Sequence, residues 1–305
     1  WLVFLEVTVL RFAWNFTFAS IPFVQVIWAL GWSMVAMALI VKLPVRWIAA
    51  LGVATIVFHN LLDAIHPASL GSFSGLWMVL HTPGLVSITP EMSFFVGYPL
   101  IPWIGVMAAG YAMGALLERN DRRKWTLGLG VALTLAFFVL RALNLYGNGE
   151  ASSSSFLLST VGPWKVQPSL TLTIIAFFDT LKYPPSLDYL LMTLGPALIV
   201  LACLDGVTPG RGLGRILLVF GRVPLFYYVL HILLIHAMAI FVGLLFHQPV
   251  FWLWHGGHPP PAGYGHGLPF VYLMWFIALL ILYLPCKWYM AFKSKHRDCA
   301  WLSYL

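Results

Sequence analysis

Polar residues lie in or beside long apolar runs at several places, and one cluster carries the groups used in acid–base catalysis. The segment FHNLLDAI holds His59, Asn60 and Asp63 at the end of an apolar run. His59 and Asp63 are four residues apart, so they lie on one face of a helix. A carboxylate beside an imidazole fixes its tautomer and raises its basicity, as a general base requires. We predict that His59 and Asp63 are catalytic and that Asn60 binds substrate, the alternative being a polar helix end at the membrane interface.

The first apolar run contains an arginine at mid-depth. Arg11 and Asn15 share a helix face, whereas Glu6 points about 140° away from Arg11. A charge inside a bilayer is costly, so Arg11 requires an acidic or phosphate partner from elsewhere in the chain or from a ligand. We predict that Arg11 and Asn15 bind substrate. The alternative is a structural arginine bonded to backbone carbonyls.

A third group of polar residues lies in the segment GRVPLFYYVLHILLIH. Tyr227 and Tyr228 precede His231 by four and three residues, so a Tyr–His hydrogen bond along one helix face is expected. Pro224 removes a backbone hydrogen bond, and the freed carbonyl can line a cavity. We predict that Tyr228 and His231 bind substrate, the alternative being polar contacts between helices.

Two external segments offer further candidates. Lys182 opens the run KYPPSLDYLLMTLGPAL, and we predict that it binds substrate at the external surface, with an anionic ligand and a lipid headgroup both open as its partner. The loop HGGHPPPAGYGHG carries His255, His258 and His266 but no cysteine or acidic ligand. We therefore predict no metal.

The composition indicates the environment in which these residues act. Of the 305 residues, 61% are hydrophobic and 9% are charged, and the mean hydropathy is +0.88. Soluble domains carry roughly 25% charged residues. The net charge of +7 comes from basic residues in short loops, which favours contact with lipid headgroups rather than with nucleic acid. The chain is predicted to be an integral membrane protein.

The apolar runs predict an all-α fold, a polytopic transmembrane helix bundle that forms a single integral membrane domain. A span needs about 20 apolar residues. Eight runs qualify: 1–18, 21–41, 45–65, 97–118, 125–145, 186–205, 215–246 and 268–286. The run 171–181 is too short to span and is expected to form an interfacial helix or a re-entrant segment.

The distribution of basic residues predicts the orientation. One set of loops and the tail hold twelve Lys and Arg residues, whereas the opposite loops hold only Lys165 and Lys182. The positive-inside rule places the basic side and both ends of the chain in the cytoplasm. The chain opens at Trp1 without a charged segment, so we expect it to be the C-terminal part of a longer protein.

Several segments resemble a known family. The runs YPLIPWIGVMAAGYAMG (98–114), KYPPSLDYLLMTLGPAL (182–198) and GRVPLFYYVLHILLIH (221–236) are similar to bacterial heparan-alpha-glucosaminide N-acetyltransferase-like membrane proteins, which are transmembrane acyltransferases. HNLLD (59–63) and WLSYL (301–305) fit the same branch. The resemblance implies a bacterial inner membrane enzyme that moves an acetyl group from cytosolic acetyl-CoA to a sugar-like acceptor on the external side.

The resemblance also implies where the substrates bind. The CoA phosphates are expected near Arg215 and Arg222, and the glycan or sugar acceptor beneath the long external loops. The family's key histidine belongs to a loop between two helices that precede the matched region, so no residue here inherits its role. His59 is our substitute, chosen from its position and chemistry.

Two other functions are compatible with the same residues. A transporter for a small anionic or sugar-like solute could line its path with Arg11, Arg222 and His231, although the sequence shows neither internal repeats nor paired broken helices. A non-enzymatic membrane scaffold would not need Arg and His at mid-depth. The sequence does not predict an oligomeric state.

Overall fold

The computed structural model describes residues 1–89, 91–149, 162–208, 212–254, 260–296, 298–299 and 302. The helices and strands in chain order are α1 Leu2–Leu5, α2 Arg11–Asn15, β1 Phe23–Val24, α3 Val26–Ile40, α4 Val45–Phe58, α5 Ser74–Leu80, β2 Gly84–Ser87, β3 Ser93–Val96, α6 Leu100–Leu117, α7 Arg122–Leu143, α8 Leu170–Phe178, α9 Leu187–Leu204, α10 Leu213–Arg222, α11 Pro224–Leu245, α12 Phe251–Trp254 and α13 Leu268–Lys295. A π-helix, Glu6–Leu10, joins α1 to α2, and 3₁₀-helices cover His59–Ala64 and Pro67–Phe73.

The predicted class, an all-α polytopic bundle, is confirmed. Six helices in the described part of the chain are long and apolar enough to cross a membrane: α4 with its 3₁₀ extension (Val45–Ala64), α6, α7, α9, α11 and α13. Few residues of these helices are buried, and many of their large apolar side chains point outward, as expected for helices whose solvent is lipid.

Some predicted boundaries are wrong. The predicted span 215–246 is two helices, α10 and α11, which break at Val223 because Pro224 has no N–H to continue α10 and instead starts α11. The predicted span 21–41 begins as strand β1, and α3 has only 15 residues. The first run ends at Phe16, whose φ of 50° terminates α2. The number of spans and the location of the two ends stay predictions.

The chain divides into two compact units, which are described separately. The central unit contains Leu2 and residues 23–206, and the terminal unit contains Trp1, residues 3–22 and residues 207–305. In the central unit α7 packs on α9, and α4 packs on α6. Glycines allow both approaches: a Cβ on Gly130 of α7 would lie 2.8 Å from the Ile199 nitrogen, and one on Gly52 of α4 would lie 2.5 Å from the Ala109 nitrogen. Small residues at helix contacts are typical of membrane bundles.

One end of the central unit collects the polar residues. The Tyr146 hydroxyl, just beyond α7, donates a hydrogen bond to the Val57 carbonyl near the end of α4. Asn60, one turn further on, bonds the first residue of α9, and Tyr98 before α6 contacts Tyr183 before α9. We call this the histidine end. The opposite, arginine end is defined by Arg122 at the start of α7, which pairs with Asp205 at the end of α9.

Residues 66–96, the long external loop predicted between the spans 45–65 and 97–118, fold into regular structure at the histidine end. The 3₁₀-helix Pro67–Phe73 leads into α5, and β2 and β3 form an antiparallel pair to which β1 adds in parallel, in the order β1-β3-β2. The short apolar run 171–181 forms α8, nine residues long, in agreement with the prediction of a segment too short to span.

In the terminal unit, α13 packs against both α10 and α11, and α11 also packs against α2. A core cluster of Val219, Val223, Cys286, Tyr289 and Leu302 holds α10 and α13 together. The three cysteines described are free thiols.

Candidate functional site

Asp63 and His81 form the centre of the candidate site. Nε2 of His81 lies 2.9 Å from Oδ1 of Asp63, and the two side chains are 1% and 10% exposed. A carboxylate only accepts hydrogen bonds, so the Nε2–H group of His81 is the donor. In the neutral ring the lone pair is then on Nδ1, which is buried and has no hydrogen-bond partner among the described residues.

Asn60 connects this pair to α9. Its Nδ2 donates to Oδ2 of Asp63 at 2.9 Å, and its Oδ1 accepts the backbone N–H of Leu187 at 2.9 Å. Both polar atoms of the amide are therefore used, and the Asp63 carboxylate accepts one bond on each oxygen. Ser186 caps α9 by accepting the Tyr189 N–H, which fixes the start of that helix beside Asn60.

The prediction that Asp63 pairs with His59 is wrong. The helix tightens to 3₁₀ geometry over His59–Ala64, where residues three apart eclipse each other. Asn60 therefore reaches Asp63, and the imidazole bonded to Asp63 is His81. Periodicity of an α-helix, on which the prediction rested, does not hold at this helix end.

His59 lies next to the pair without a hydrogen bond to it. Its ring centroid is 5.9 Å from that of His81 and its side chain is 2% exposed. The Pro185 carbonyl approaches the ring without completing a hydrogen bond of normal geometry, and both ring nitrogens lack a partner within the part of the chain that the structure describes. A buried imidazole with unused nitrogens is a candidate for contact with a ligand.

Two aromatic side chains lie close to the Asp63–His81 pair. Trp77 contacts the His81 ring at 5.4 Å between centroids and donates its indole N–H to the Ile65 carbonyl at 2.8 Å. Tyr146 lies near the Asp63 carboxylate and packs beside the start of α9. Burial, helped by the nearby Asp63 carboxylate, raises the pKa of Tyr146, so its hydroxyl stays protonated as a donor.

Arg141 and Asp188 form a buried ion pair close to the start of α9. The two side chains are 1% and 0% exposed, and their nearest charged atoms are 3.6 Å apart. The Arg141 guanidinium also donates to the carbonyls of Ala176 and Phe177 at the end of α8, and to the Asn148 side chain. Carbonyls in the last turn of a helix have no N–H partner within that helix, and Arg141 supplies the missing donors at the end of α8.

Sequence reasoning missed His81, Arg141 and Asp188. Arg141 and Asp188 had a usable signal, because each is an ionisable residue near the end of an apolar run. His81 had none, since the segment LWMVLHTP reads as part of a loop until its contact with Asp63, eighteen residues away, is known.

Lys182 is held by aromatic rings at the same end. Its Nζ lies 5.2 Å from the Tyr183 ring centroid and 5.9 Å from that of Tyr98. The turn after it closes through the Ser186 N–H, which donates to the Leu181 carbonyl. Lys182 is half-buried and lies on the same turn as Pro185, which approaches His59.

In the terminal unit, Arg11 has carbonyl partners instead of the expected acidic or phosphate partner. Its guanidinium donates to the carbonyls of Phe18 and Ser20, and Asn15 donates to the Ser20 hydroxyl at 3.2 Å. The chain turns back after Phe16, so these groups come within reach of α2. The alternative interpretation, a structural arginine, describes these contacts.

The expected Tyr–His hydrogen bond in α11 takes another form. Nδ1 of His231 bonds the Tyr228 backbone carbonyl, and the ring stacks on Tyr227 with an interplanar angle of 4°. Tyr227 and His231 line an apolar cavity of about 480 Å³ between α11 and α13. Arg215 and Arg222 are both exposed on α10, seven residues apart and therefore on one face.

No group of three His, Cys, Asp or Glu side chains within the described ranges could hold a metal ion. His255 and His258 lie outside the described residues, so the absence of a metal stays a prediction. Residues 150–161 and WLSYL at 301–305, apart from Leu302, are likewise outside them.

Comparison with known proteins gives one match. Residues 3–147 match the family model described as "Heparan-alpha-glucosaminide N-acetyltransferase, catalytic". The matched range includes Arg11, His59, Asp63 and His81, whereas the runs 182–198 and 221–236 lie beyond it. The chain matches no curated protein and no solved structure.

Proposed function

We propose that this chain moves an acetyl group from acetyl-CoA to a sugar-like acceptor, because residues 3–147 match the family model of the heparan-alpha-glucosaminide N-acetyltransferases, which supports membership of that family of membrane acyltransferases. The donor is taken from the cytosol and the acceptor amine or hydroxyl is acetylated on the external side of a bacterial inner membrane. The positive-inside count supports this orientation, because it places the histidine end outside.

The Asp63–His81 hydrogen bond is the observation that carries the proposal. The carboxylate holds His81 in the tautomer with a lone pair on Nδ1, the arrangement of a general base oriented by a carboxylate. Asn60 fixes the carboxylate from its other side. A non-enzymatic scaffold would not need such a pair, because an apolar contact would hold the same elements together.

The reaction follows from this geometry. The acceptor nitrogen or oxygen attacks the thioester carbonyl carbon while Nδ1 of His81 takes its proton. The tetrahedral intermediate collapses, the C–S bond breaks, and the CoA sulfur receives the proton from the imidazolium. His59, 5.9 Å from His81 between ring centroids, is positioned to contact the acceptor or to share its proton.

Burial of the two histidines fits a reaction that must avoid water. A thioester hydrolyses when water competes with the acceptor, so a dry site protects it. Both imidazoles are nearly inaccessible in this structure, and an acceptor therefore reaches them only when a covering segment moves. Trp77 beside His81 and the Lys182–Pro185 turn beside His59 are the groups that cover them.

The binding roles of the other residues are part of the same proposal. Arg215 and Arg222 present two guanidinium groups on one exposed face of α10, a suitable arrangement for the phosphates of CoA. Lys182, with Tyr98 and Tyr183 beside it, offers a cation and aromatic faces to a sugar hydroxyl or ring. His231 lines the apolar cavity beside α11, where it can contact substrate, and the Tyr228 carbonyl holds the His231 ring in place.

The transporter is not favoured. It required Arg11 to be available to a solute, whereas the Arg11 guanidinium is bonded to the carbonyls of Phe18 and Ser20.

The proposal is tested with acetyl-CoA carrying a radiolabelled acetyl group and purified protein in proteoliposomes. With glucosamine as acceptor we expect label in the sugar and an equal amount of released CoA thiol. Hexosamines and hexoses compared in parallel separate amine from hydroxyl acceptors. Release of thiol without label in any sugar, or no release at all, would argue against acetyl transfer.

A further inference from the structure

A cavity at the arginine end of the central unit has no role in the proposed reaction. It lies between the start of α7 and the end of α9, and its volume is about 350 Å³, within the range of small-ligand pockets. Its lining combines three charged residues, Arg122, Arg123 and Asp205, with Thr126 and with apolar and small residues that include Leu117, Leu201 and Leu204.

The start of α7 lacks the cap that its sequence would supply. Asp121 occupies the N-cap position, but its side chain makes no capping bond. Its carboxylate instead accepts the Arg119 Nε–H and the Trp125 indole N–H, each at 2.7 Å. These bonds, with that of Arg119 the stronger influence, lower the pKa of Asp121 to about 2, so the carboxylate is ionised and occupied. The Arg122 N–H donates to the Arg119 carbonyl, whereas the N–H groups of Arg123 and Lys124 have no capping acceptor among the described residues.

Thr126 provides an independent indication of a missing partner. It lines the cavity, is 2% exposed, and its hydroxyl has no hydrogen-bond partner in the described ranges. Buried hydroxyl groups in native proteins are almost always bonded. An oxygen acceptor in the cavity would satisfy Thr126 as well as the start of the helix.

The charges favour an anion of modest strength. Arg122 holds Asp205 through its Nε and Nη2 atoms, at 3.1 to 3.2 Å, so most of its charge is compensated. Arg123 has no ion-pair partner within the described part of the chain, and the helix start adds a partial positive charge. A singly charged phosphate diester fits this balance better than a multiply charged phosphate, which the Asp205 carboxylate would repel.

The apolar wall indicates where the diester comes from. Leu117, Leu201 and Leu204 line the cavity and are 38%, 45% and 59% exposed, and Trp125 beside it is 52% exposed. Exposed leucines below an exposed tryptophan and arginines are the arrangement of a helix end at the lipid–water boundary. Acyl chains can therefore continue from a headgroup in the cavity along the leucines.

We propose that this cavity binds the phosphate diester of an anionic phospholipid, held by Arg123, the start of α7 and the Thr126 hydroxyl. Basic pockets between transmembrane helices bind such headgroups in other proteins. The proposal does not depend on acetyl transfer, because the cavity lies at the arginine end of the central unit and the two histidines lie at its histidine end.

The test is native mass spectrometry of the purified full chain in detergent, titrated with phosphatidylglycerol and, separately, with phosphatidylcholine. We expect preferential retention of phosphatidylglycerol and an affinity about fivefold lower in Arg123→Gln, the effect of one basic residue near an anionic headgroup. Lys124→Gln is the matched control, because it removes the same charge from the next residue of α7, which does not line the cavity. Its affinity is expected to be unchanged.

Three further measurements test whether the lipid binds through the cavity residues and whether the phosphate belongs to a lipid or to a nucleotide. Thr126→Val should lose affinity and Thr126→Ser should keep it, while Asp205→Asn should gain affinity because Arg122 is released. Equal binding by Arg123→Gln and Lys124→Gln would overturn the site. If 3′,5′-ADP displaces the lipid, and if its own binding is weakened by Arg123→Gln, the lipid is overturned as the source of the phosphate.

Discussion

Oδ1 of Asp63 lies 2.9 Å from Nε2 of His81, across eighteen residues of chain that include a 3₁₀-helix and all of α5. The carboxylate sits at the end of a candidate span and the imidazole just beyond a short helix. Their contact turns a segment that reads as an external loop into one wall of a buried site. It also assigns the carboxylate to a histidine other than the one four residues before it.

Removal of the Asn60 side chain should destabilise the fold at the histidine end. Asn60→Ala leaves the Leu187 N–H buried without an acceptor, at a cost of about 1–3 kcal/mol in the free energy of unfolding. Denaturant unfolding in mild detergent measures this change. Ser69→Ala is the control, because it removes an exposed hydroxyl bonded to the His66 carbonyl and should change stability by less than about 0.5 kcal/mol.

Arg141 and Asp188 should contribute unequally to stability. Asp188 depends on Arg141, because neither carboxylate oxygen has a hydrogen-bond partner in the described structure, whereas Arg141 also donates to several carbonyls. Arg141→Met should therefore cost about 3–5 kcal/mol, and Asp188→Asn distinctly less.

The same pair offers a rescue. Adding Asp188→Asn to Arg141→Met removes the uncompensated charge and should recover part of the lost stability. Limited proteolysis near α8 should be faster in both Arg141 variants, since Arg141 bonds the carbonyls at the end of that helix. Equal costs for the two single variants would contradict this account of the pair.

The close approach of α7 and α9 should not tolerate a methyl group. In Gly130→Ala the new Cβ would lie 2.8 Å from the Ile199 nitrogen and 2.9 Å from the Gly195 carbonyl oxygen, so backbone must shift, at about 1–3 kcal/mol. Gly128, two residues earlier on α7, has open space around its Cβ direction. Gly128→Ala should leave the thermal midpoint unchanged or raise it slightly, and a matching loss in both variants would count against helix contact as the cause.

The two exposed arginines of α10 should determine donor affinity. Arg222→Gln or Arg215→Gln should weaken acetyl-CoA binding about tenfold, the effect of one lost charge-assisted hydrogen bond. Thermal shift at graded acetyl-CoA concentrations measures the dissociation constant. Arg46→Gln is the control, because Arg46 is also an exposed arginine and lies beside Trp47, away from α10. If all three variants bind acetyl-CoA alike, the donor phosphates lie elsewhere.

The class of the protein and most of its long helices could be predicted because length and hydropathy determine them directly. The break at Val223 was less accessible, since a proline inside an apolar run is compatible with both a kink and a new start. The Arg11 contacts depend on a chain reversal at Phe16, and the His81 contact depends on how a loop folds. Neither has a local sequence signal.

Acetyl transfer by purified protein with Asp63→Asn and His81→Gln tests the central claim most directly. Both variants should lose about 100-fold or more of acceptor-dependent CoA release, because a general base contributes 10²- to 10⁴-fold. Their dissociation constants for acetyl-CoA should stay those of the unmodified protein, and His296→Gln, an exposed histidine at the end of α13, should remain active. Transfer at the full rate by either variant would contradict the assignment of Asp63 and His81.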